Sequence, residues 1–263
     1  MIKIDNDRLT LISGPCVIES LSHCLFMAEE IKNICDKLNI QYIFKASWDK
    51  ANRTSLNSYR GYPLDESIEI FKEIKDSVKV PITTDFHEPY QAEKLSTVVD
   101  VLQVPAFLCR QTDILVSASR TGLPVNVKKA QFISGLDTEK VVNKVRFSGL
   151  SECWLTERGN IFGYGNYIVD MKNLSIMKKY APVFFDASHS IQLGARGGTS
   201  GSEREYIEPL SKAAISVGVD GLFLEVHDNP DKALVDGTSS LKLDDLFTLL
   251  VKVKKIYDIN LTL

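Results

Sequence analysis

One strand-to-loop stretch decides how the chain is organised: Tyr42-Ile43-Phe44-Lys45-Ala46-Ser47-Trp48-Asp49-Lys50-Ala51-Asn52-Arg53-Thr54-Ser55. It begins as an apolar strand and then becomes a loop with three cations and three neutral hydrogen-bonding side chains: Lys45, Lys50 and Arg53, with Ser47, Asn52 and Thr54 between them. Such a loop is either a solvated basic turn or an anion site, since Arg offers phosphate or carboxylate a planar fork and Lys a point charge. Similar chemistry at the ends of other strands would favour the anion site.

Short β-rich runs of this kind recur and alternate with segments whose apolar residues are spaced three and four apart, as in an amphipathic helix. The predicted strands are Leu9–Ser13, Gln41–Phe44, Pro81–Asp85, Val101–Pro105, Pro124–Lys128, Cys153–Thr156, Val183–Asp186 and Leu222–Glu225. Eight such units without a break in composition predict one α/β domain over residues 1–263, a single (β/α)8 TIM barrel. A doubly wound sheet fits the pattern less well.

Three helices are well marked in this pattern. The first has Ser20 as its cap and an apolar face of Leu25, Ala28, Ile31, Cys35 and Leu38. The second directs Leu64, Ile68, Phe71, Ile74 and Val78 inward, and the last runs from Leu243 to Tyr257. The segment after the sixth strand, Gly159 to Gly165, is instead loop-like.

Composition excludes several classes of protein. With 263 residues and a net charge of −3, the chain has no global basic field that would favour nucleic acid. No run approaches the about 18 apolar residues of a membrane span, and Met1 to Leu9 lacks the apolar core of a secretory signal. The five scattered cysteines are not expected to form structural disulfides. We therefore expect a cytoplasmic protein.

A polar or reactive side chain stands at or just beyond the end of every predicted strand: Cys16, Lys45 with Ser47, Asp85, Gln103, Lys128, Arg158, His189 and Glu225. In a barrel the carboxyl ends of the strands converge on one face, which hosts the site. Four cations pointing at that face, namely Lys45, Lys50, Lys128 and Arg158, would repel one another unless an anionic ligand lay among them. A substrate with both phosphate and carboxylate groups would satisfy them.

A second set of side chains combines a thiol, an imidazole and two carboxylates: Cys16, His189, Glu225 and Asp236. This mixture suits Zn²⁺ or Fe²⁺ better than Mg²⁺. The alternative is a buried thiol and a structurally bonded histidine. His23 is expected at the surface of the first helix. The glycine-rich run Gly194–Ser202 is either a lid over the barrel or a plain flexible loop.

Several motifs resemble the 3-deoxy-D-manno-octulosonate 8-phosphate (KDO8P) synthase family. They are Leu11-Ile12-Ser13-Gly14-Pro15-Cys16-Val17-Ile18-Glu19-Ser20, the loop Lys45 to Arg53, Ala106-Phe107-Leu108-Cys109-Arg110-Gln111-Thr112-Asp113, Asn126-Val127-Lys128-Lys129, and Phe162-Gly163-Tyr164 after Glu157-Arg158-Gly159. The similarity runs almost end to end. The related DAHP synthases carry a Pro-Arg-Thr type segment where this chain reads Ala51-Asn52-Arg53-Thr54.

The resemblance implies a transferase of lipopolysaccharide Kdo biosynthesis that condenses phosphoenolpyruvate with D-arabinose 5-phosphate and water and releases phosphate. The residues implied for phosphoenolpyruvate are Lys45, Ser47, Lys50, Gln103, Lys128 and Arg158, and those for the pentose phosphate are Asn52, Arg53 and Thr54. We expect Asp85 to contact substrate as well. The family usually has Ser where this chain has Thr54, and both supply a hydroxyl donor.

The resemblance also implies a homotetramer in which Arg110 reaches a neighbouring subunit's site. The metal-independent branch of the family has Asn where this chain has Cys16, which favours a divalent metal (Zn, Fe or Mn) held by the thiol–imidazole–carboxylate set. Lys128 and Arg158 are expected to stabilise the phosphate, and either His189 or Asp236 to carry a proton. Three competitors stay open: a DAHP synthase, a metal-dependent aldolase that releases no phosphate, and a silent phosphosugar-binding barrel.

Overall fold

Eight parallel strands close into a barrel in the computed structural model, which describes residues 2–53, 55–162, 166–193 and 201–262. They are β1 (Thr10–Gly14), β2 (Gln41–Lys45), β3 (Ile82–Asp85), β4 (Val101–Val104), β5 (Val125–Lys128), β6 (Cys153–Glu157), β9 (Val183–Asp186) and β10 (Gly221–His227). The numbers β7 and β8 belong to two short strands outside the barrel, β7 (Asn160–Ile161) and β8 (Tyr167–Ile168). Each barrel strand pairs with the next in this order, and β10 pairs with β1. The predicted (β/α)8 TIM barrel is confirmed.

Helices surround the barrel. They are α1 (Leu21–Leu38), α2 (Leu64–Val78), α3 (Pro89–Leu95), α4 (Thr112–Arg120), α5 (Thr138–Arg146), α6 (Met171–Met177), α7 (Ile207–Val217) and α8 (Leu243–Asn260). Ser20 caps α1 as predicted, because its hydroxyl accepts a hydrogen bond from the backbone N–H of His23 (3.1 Å). The predicted faces are correct at Ala28 and Phe71, which are buried, whereas Leu25 is only partly buried.

The chain departs from a regular strand–helix unit after β6. There β7 (Asn160–Ile161) pairs antiparallel with β8 (Tyr167–Ile168) before α6 begins. The predicted loop Gly159 to Gly165 therefore contains a short strand, and its residues 163–165 lie outside the described part of the chain. Two short strands can form here because they pair with each other and need no neighbour in the barrel.

The core has two layers because both faces of the parallel sheet are buried. The larger layer lies between strands and helices. The interior of the barrel is filled by Ile12, Ile43, Val101, Trp154, Phe184 and Phe223, against which Ile2 and Ile4 pack. These filled layers make the barrel a solid support with its polar groups at one end.

Two features shape that end, which we call the mouth. A Cβ on Gly14 would lie 2.2 Å from the carbonyl oxygen of Lys45, so only glycine allows the ends of β1 and β2 to approach this closely. Strand β10 runs to His227, two residues beyond its predicted end, because Val226 and His227 pair with β11 (Leu241–Lys242). The segment between β10 and β11 is thereby drawn back towards the mouth.

Candidate functional site

A cavity of about 860 Å³ opens at the mouth of the barrel. Most of the site residues predicted from the sequence line it: Lys45, Ser47, Lys50, Asn52, Arg53, Asp85, Gln103, Lys128, Arg158, His189 and Asp236. Cys16 and Glu225 are buried at strand ends beside this lining. Arg110 is exposed and does not line the cavity, and Thr54 lies outside the described residues.

Two lysines of the opening stretch, Lys45 and Lys50, lie close to the carboxylate of Glu225 in β10. Lys45 Nζ donates to Cys16 O (3.0 Å), Ser47 Oγ (3.1 Å) and Glu225 Oε1 (3.3 Å), and Lys50 Nζ lies 3.9 Å from the same Glu225 oxygen. Burial alone would raise the pKa of Glu225, but the charges of His189, Lys45 and Lys50 outweigh it and lower that pKa to about 2. Glu225 is therefore an anion that organises the lysines.

A chain of three ionisable groups crosses the middle of the cavity. Lys128 Nζ donates to Asp186 Oδ2, which in turn lies 2.8 Å from His189 Nδ1. The Lys128 ammonium also lies 3.0 Å from the centroid of the Phe223 ring. Burial lowers the pKa of Lys128 to about 8, although the charge of Asp186 opposes the shift. The backbone N–H of His189 donates to Asp186 Oδ1 (2.9 Å), which fixes the histidine further.

Asp186 and Glu225 correct one sequence expectation. The cations of the mouth were expected to repel one another unless an anionic ligand separated them. Instead the protein supplies carboxylates between them, at Asp186 beside Lys128 and at Glu225 beside Lys45. The positive groups are thus held in place by internal partners and still face the cavity.

Arg158 is held from two sides at the far wall. Its Nη2 donates to Gln192 Oε1 (2.9 Å), and its guanidinium carbon lies 4.8 Å from the centroid of the Tyr167 ring. Its Nη1 is buried without a hydrogen-bond partner in the described residues, and so is Gln103 Oε1. Buried polar groups are normally paired, so unpaired ones facing a cavity are suited to binding a polar ligand.

The loop after β2 lines the cavity and is held in place by side-chain contacts. Asp49 forms an ion pair with Arg60, not with Lys50, and Trp48 Nε1 donates to Asp85 O (2.9 Å). Arg53 lines the cavity, and its buried Nε has no partner among the described atoms. This loop therefore presents a second cationic group apart from the lysines at the strand ends.

The four predicted metal ligands, Cys16, His189, Glu225 and Asp236, lie together and are called the mouth cluster. Cys16 Sγ lies 3.2 Å from Asp236 Oδ2, and His189 Nε2 lies 3.6 Å from Glu225 Oε1 and 4.0 Å from Asp236 Oδ2. One ligand atom each from Cys16, Glu225 and Asp236 lie within 4.8 Å of one another. Glu225 Oε2 is buried without a partner in the described chain. The set fits a divalent cation with nitrogen, oxygen and sulfur ligands.

The backbone and neighbouring groups prepare this cluster. Asp236 has a left-handed backbone (φ 50°), which is uncommon outside glycine and is often found at functional sites. Asp186 bonds Nδ1 of His189 and so directs Nε2 at the carboxylates. Burial and the charge of Glu225 raise the pKa of Cys16 well above its ordinary value. A bound cation would favour the thiolate instead.

Sequence reasoning missed several cavity residues, of which Asp186 is the most central. Its signal was an acid at the end of a buried strand, the same signal that identified Asp85. Gln192 offered no comparable signal because it lies in a loop, and Tyr167 offered none because the short strand β8 is not one of the barrel strands. The predicted lid falls mainly on residues 194–200, outside the described chain. Its flanks meet, since Gln192 bridges to Ser202 next to Arg158.

Comparison with known proteins shows which family and which relatives the chain resembles. Residues 1–261 match the DAHP synthetase I family. The chain is 50% identical over 258 residues to the 2-dehydro-3-deoxyphosphooctonate aldolase of Geobacter sulfurreducens, covering 97% of this chain and 95% of that protein. The proteins of the same name from Geobacter metallireducens (52% over 258 residues; 97% and 95%) and a Synechococcus strain (48% over 254 residues; 96% and 89%) are similar to it. No described helix has the length and apolar character needed to span a bilayer.

Proposed function

The chain belongs to the DAHP synthetase I family, and we propose that within it the protein is a KDO8P synthase. It condenses phosphoenolpyruvate with D-arabinose 5-phosphate and water to give 3-deoxy-D-manno-octulosonate 8-phosphate and inorganic phosphate, for Kdo biosynthesis in lipopolysaccharide. The observation that carries this proposal is the meeting of Lys45, Lys128 and Arg158 in one cavity of a chain about 50% identical to 2-dehydro-3-deoxyphosphooctonate aldolases.

Phosphoenolpyruvate occupies the inner part of the cavity in this proposal. Lys128 and Arg158 bind its phosphate, and Lys45, Ser47, Lys50 and Gln103 surround its carboxylate. The unpaired Arg158 Nη1 and the buried Lys128 ammonium support this arrangement, since charged donors bond a phosphate more strongly when water is excluded. The carboxylates of Asp186 and Glu225 hold the lysines so that little reorganisation is needed on binding.

The pentose phosphate lies towards the loop after β2. Asn52 and Arg53 are assigned to its phosphate, together with Thr54, whose position lies outside the described residues. Asp85 lines the cavity between the two substrates and accepts from His87 Nε2 (3.3 Å). Its Oδ1 is buried without a partner in the described chain, which suits it to accept from a sugar hydroxyl.

The reaction joins C3 of phosphoenolpyruvate to the aldehyde carbon while water adds to C2. The resulting hemiketal phosphate then loses inorganic phosphate by C–O cleavage. Holding two polyanions side by side is the main task of the protein, because the substrates repel each other in water. Lys128 and Arg158 stabilise the phosphate both before and during its departure. His189 or Asp236 is the proton carrier in this scheme, since both line the cavity.

A divalent transition metal is part of the proposal. Cys16, His189, Glu225 and Asp236 would hold it, as the fit of the mouth cluster supports. When bound, such a cation polarises a carbonyl oxygen or orients a water molecule.

We further propose a cytoplasmic homotetramer. The five cysteines are free, buried thiols, which suits a reducing compartment. Arg110 follows β4, is exposed, and does not line its own cavity, as expected of a side chain that serves a neighbouring site. Phe107 and Phe132 are large exposed apolar side chains in the loops after β4 and β5, and they would be covered by a second subunit.

Phosphate release tests the proposed function. The purified protein is incubated with phosphoenolpyruvate and either arabinose 5-phosphate or erythrose 4-phosphate. We expect turnover with the five-carbon sugar to exceed that with the four-carbon sugar and to yield the eight-carbon keto acid. Preference for erythrose 4-phosphate would instead identify a DAHP synthase. Product without phosphate release would identify an aldolase, and binding of both ligands without product would leave a silent barrel.

A further inference from the structure

A second group of histidines and carboxylates lies outside the mouth cavity. It consists of Glu19, which precedes α1, His23 in the first turn of α1, and His227 and Asp228 at the end of β10; we call it the outer cluster. One ligand atom from each of Glu19, His23 and His227 lie within 4.8 Å of one another. The His23 and His227 rings are 4.7 Å apart between centroids. His23, which was expected at the surface, is only partly exposed: 16% of its side chain is accessible.

The contacts within the outer cluster divide the ring nitrogens into two kinds. Asp228 Oδ1 lies 3.0 Å from His23 Nε2 and 3.0 Å from His227 Nδ1, so one carboxylate oxygen touches one nitrogen of each ring. His227 Nε2 lies 3.3 Å from Glu19 Oε1. His23 Nδ1 is buried and has no hydrogen-bond partner in the described chain. Each ring therefore has one nitrogen that does not face Asp228. In His23 it is the buried Nδ1, which is unpaired among the described residues, and in His227 it is Nε2, which faces the Glu19 carboxylate.

We propose that the outer cluster binds a divalent transition metal ion through Glu19, His23 and His227. Two imidazoles and a carboxylate suit Zn²⁺, Co²⁺ or Ni²⁺, whereas Mg²⁺ and Ca²⁺ prefer oxygen ligands alone. Asp228 takes the role of the carboxylate that bonds the outer nitrogen of a ligating histidine, which fixes the ring and raises its basicity. With neutral histidines the two carboxylates give the cluster a charge of about −2, which a divalent cation balances.

The outer cluster is separate from the mouth cluster in its ligands. It uses none of Cys16, His189, Glu225 and Asp236, although Glu19 and His227 are close in sequence to two of them. Its histidines and glutamate do not line the mouth cavity. Glu19 Oε1 also accepts the backbone N–H of Leu234 (2.9 Å). A cation there would therefore fasten the start of α1 to the segment between β10 and β11, and its role is structural.

Cobalt binding tests this proposal. Protein stripped with a chelator is loaded with excess Co²⁺, passed through gel filtration and analysed for metal and visible absorbance. We expect His23→Ala to retain about one ion per chain fewer than the unmodified protein, whatever the mouth cluster holds. The lost absorbance should lack a thiolate-to-cobalt charge-transfer band, because only the mouth cluster contains cysteine. Asp228→Asn keeps the three ligands and should weaken cobalt affinity by about 10–100-fold.

Two controls keep the result interpretable. Glu30→Gln changes an exposed carboxylate of the same helix and should leave cobalt content unchanged. In a Cys16→Ala background Zn²⁺ should still raise the unfolding temperature, and His23→Ala should make that rise smaller. In the cation-free alternative, His227 Nδ1 accepts the Asn229 N–H (2.9 Å) and Nε2–H donates to Glu19. Equal cobalt content in His23→Ala and unmodified protein would establish that alternative and overturn the proposal.

Discussion

The ammonium nitrogen of Lys129 lies 3.4 Å from Oε1 of Glu157, and both side chains are completely buried behind the mouth. The same nitrogen donates to Ile133 O (3.2 Å) and to Asn160 Oδ1 (3.0 Å). One lysine therefore joins the loops that follow β5 and β6. Because Lys128 and Arg158 stand at the ends of these strands, the buried pair fixes the separation between the two groups assigned to the phosphate.

Replacing Lys129 by Met tests this positioning role. Removing one member of a buried ion pair leaves the other charge unpaired and costs about 3–5 kcal/mol of unfolding free energy. We expect a lower unfolding temperature and a larger rise in KM for phosphoenolpyruvate than for arabinose 5-phosphate. The double variant Lys129→Met/Glu157→Gln removes both charges and should recover part of the stability, but not the KM. Equal KM values in the single variant and the unmodified protein would refute the positioning role.

The alkaline limb of the pH profile should belong to Lys128. Burial lowers the pKa of this lysine to about 8, so it is a cation below that pH and neutral above it. Since kcat/KM reports the free enzyme, log kcat/KM for phosphoenolpyruvate should fall as pH rises through about 8. In Lys128→Arg the guanidinium stays charged, so the limb should move to higher pH even if the rate is lower. An unmoved limb would assign the titration to another group.

Removing the Lys128 charge altogether provides the matched comparison. We expect Lys128→Ala to lower kcat/KM for phosphoenolpyruvate by about 10²–10³-fold or more, through loss of a buried donor to the phosphate. As a control, Lys140→Ala removes an exposed lysine of α5 that pairs with Asp137, the residue before the helix, and it should leave the rate unchanged. Near-normal activity of Lys128→Ala in a steady-state phosphate-release assay would exclude this lysine from the site.

The barrel and most of the mouth could be predicted from the sequence because both depend on local patterns. Strand and helix periods identify the eight units, and a polar residue at a strand end, such as Lys128 or Arg158, must face the mouth of a parallel barrel. Asp186 has the same strand-end signal, but its pairing with Lys128, 58 residues away, is not encoded in any sequence spacing. The same holds for His23, whose contact with Asp228 spans 205 residues of sequence.

Arg110 should act on a neighbouring subunit's site. If it does, Arg110→Ala and Lys128→Ala are each inactive alone but complement each other when co-expressed with different tags and isolated as hybrids. Random mixing in which each site takes one arginine from a neighbour gives about a quarter of the normal active sites. Activity of the hybrids no greater than that of the separate variants would place Arg110 in its own subunit or outside the reaction. Light scattering on the same samples should give the mass of a tetramer.

Metal removal separates the mouth cluster from the outer cluster. We expect EDTA treatment to lower turnover at least about tenfold and a panel of Zn²⁺, Fe²⁺ and Mn²⁺ to restore it, because a cation polarises a carbonyl oxygen or orients water. Burial raises the pKa of Cys16, so the stripped site holds a neutral thiol that does not replace this charge. His23→Ala should keep the same EDTA sensitivity, since the outer cluster lies outside the cavity.

Cys16→Asn should retain a lower activity that EDTA no longer changes, because an amide is a poor ligand yet can still bond Asp236. Turnover unaffected by EDTA and by every added metal would show that the reaction relies on the lysines and arginine of the mouth alone.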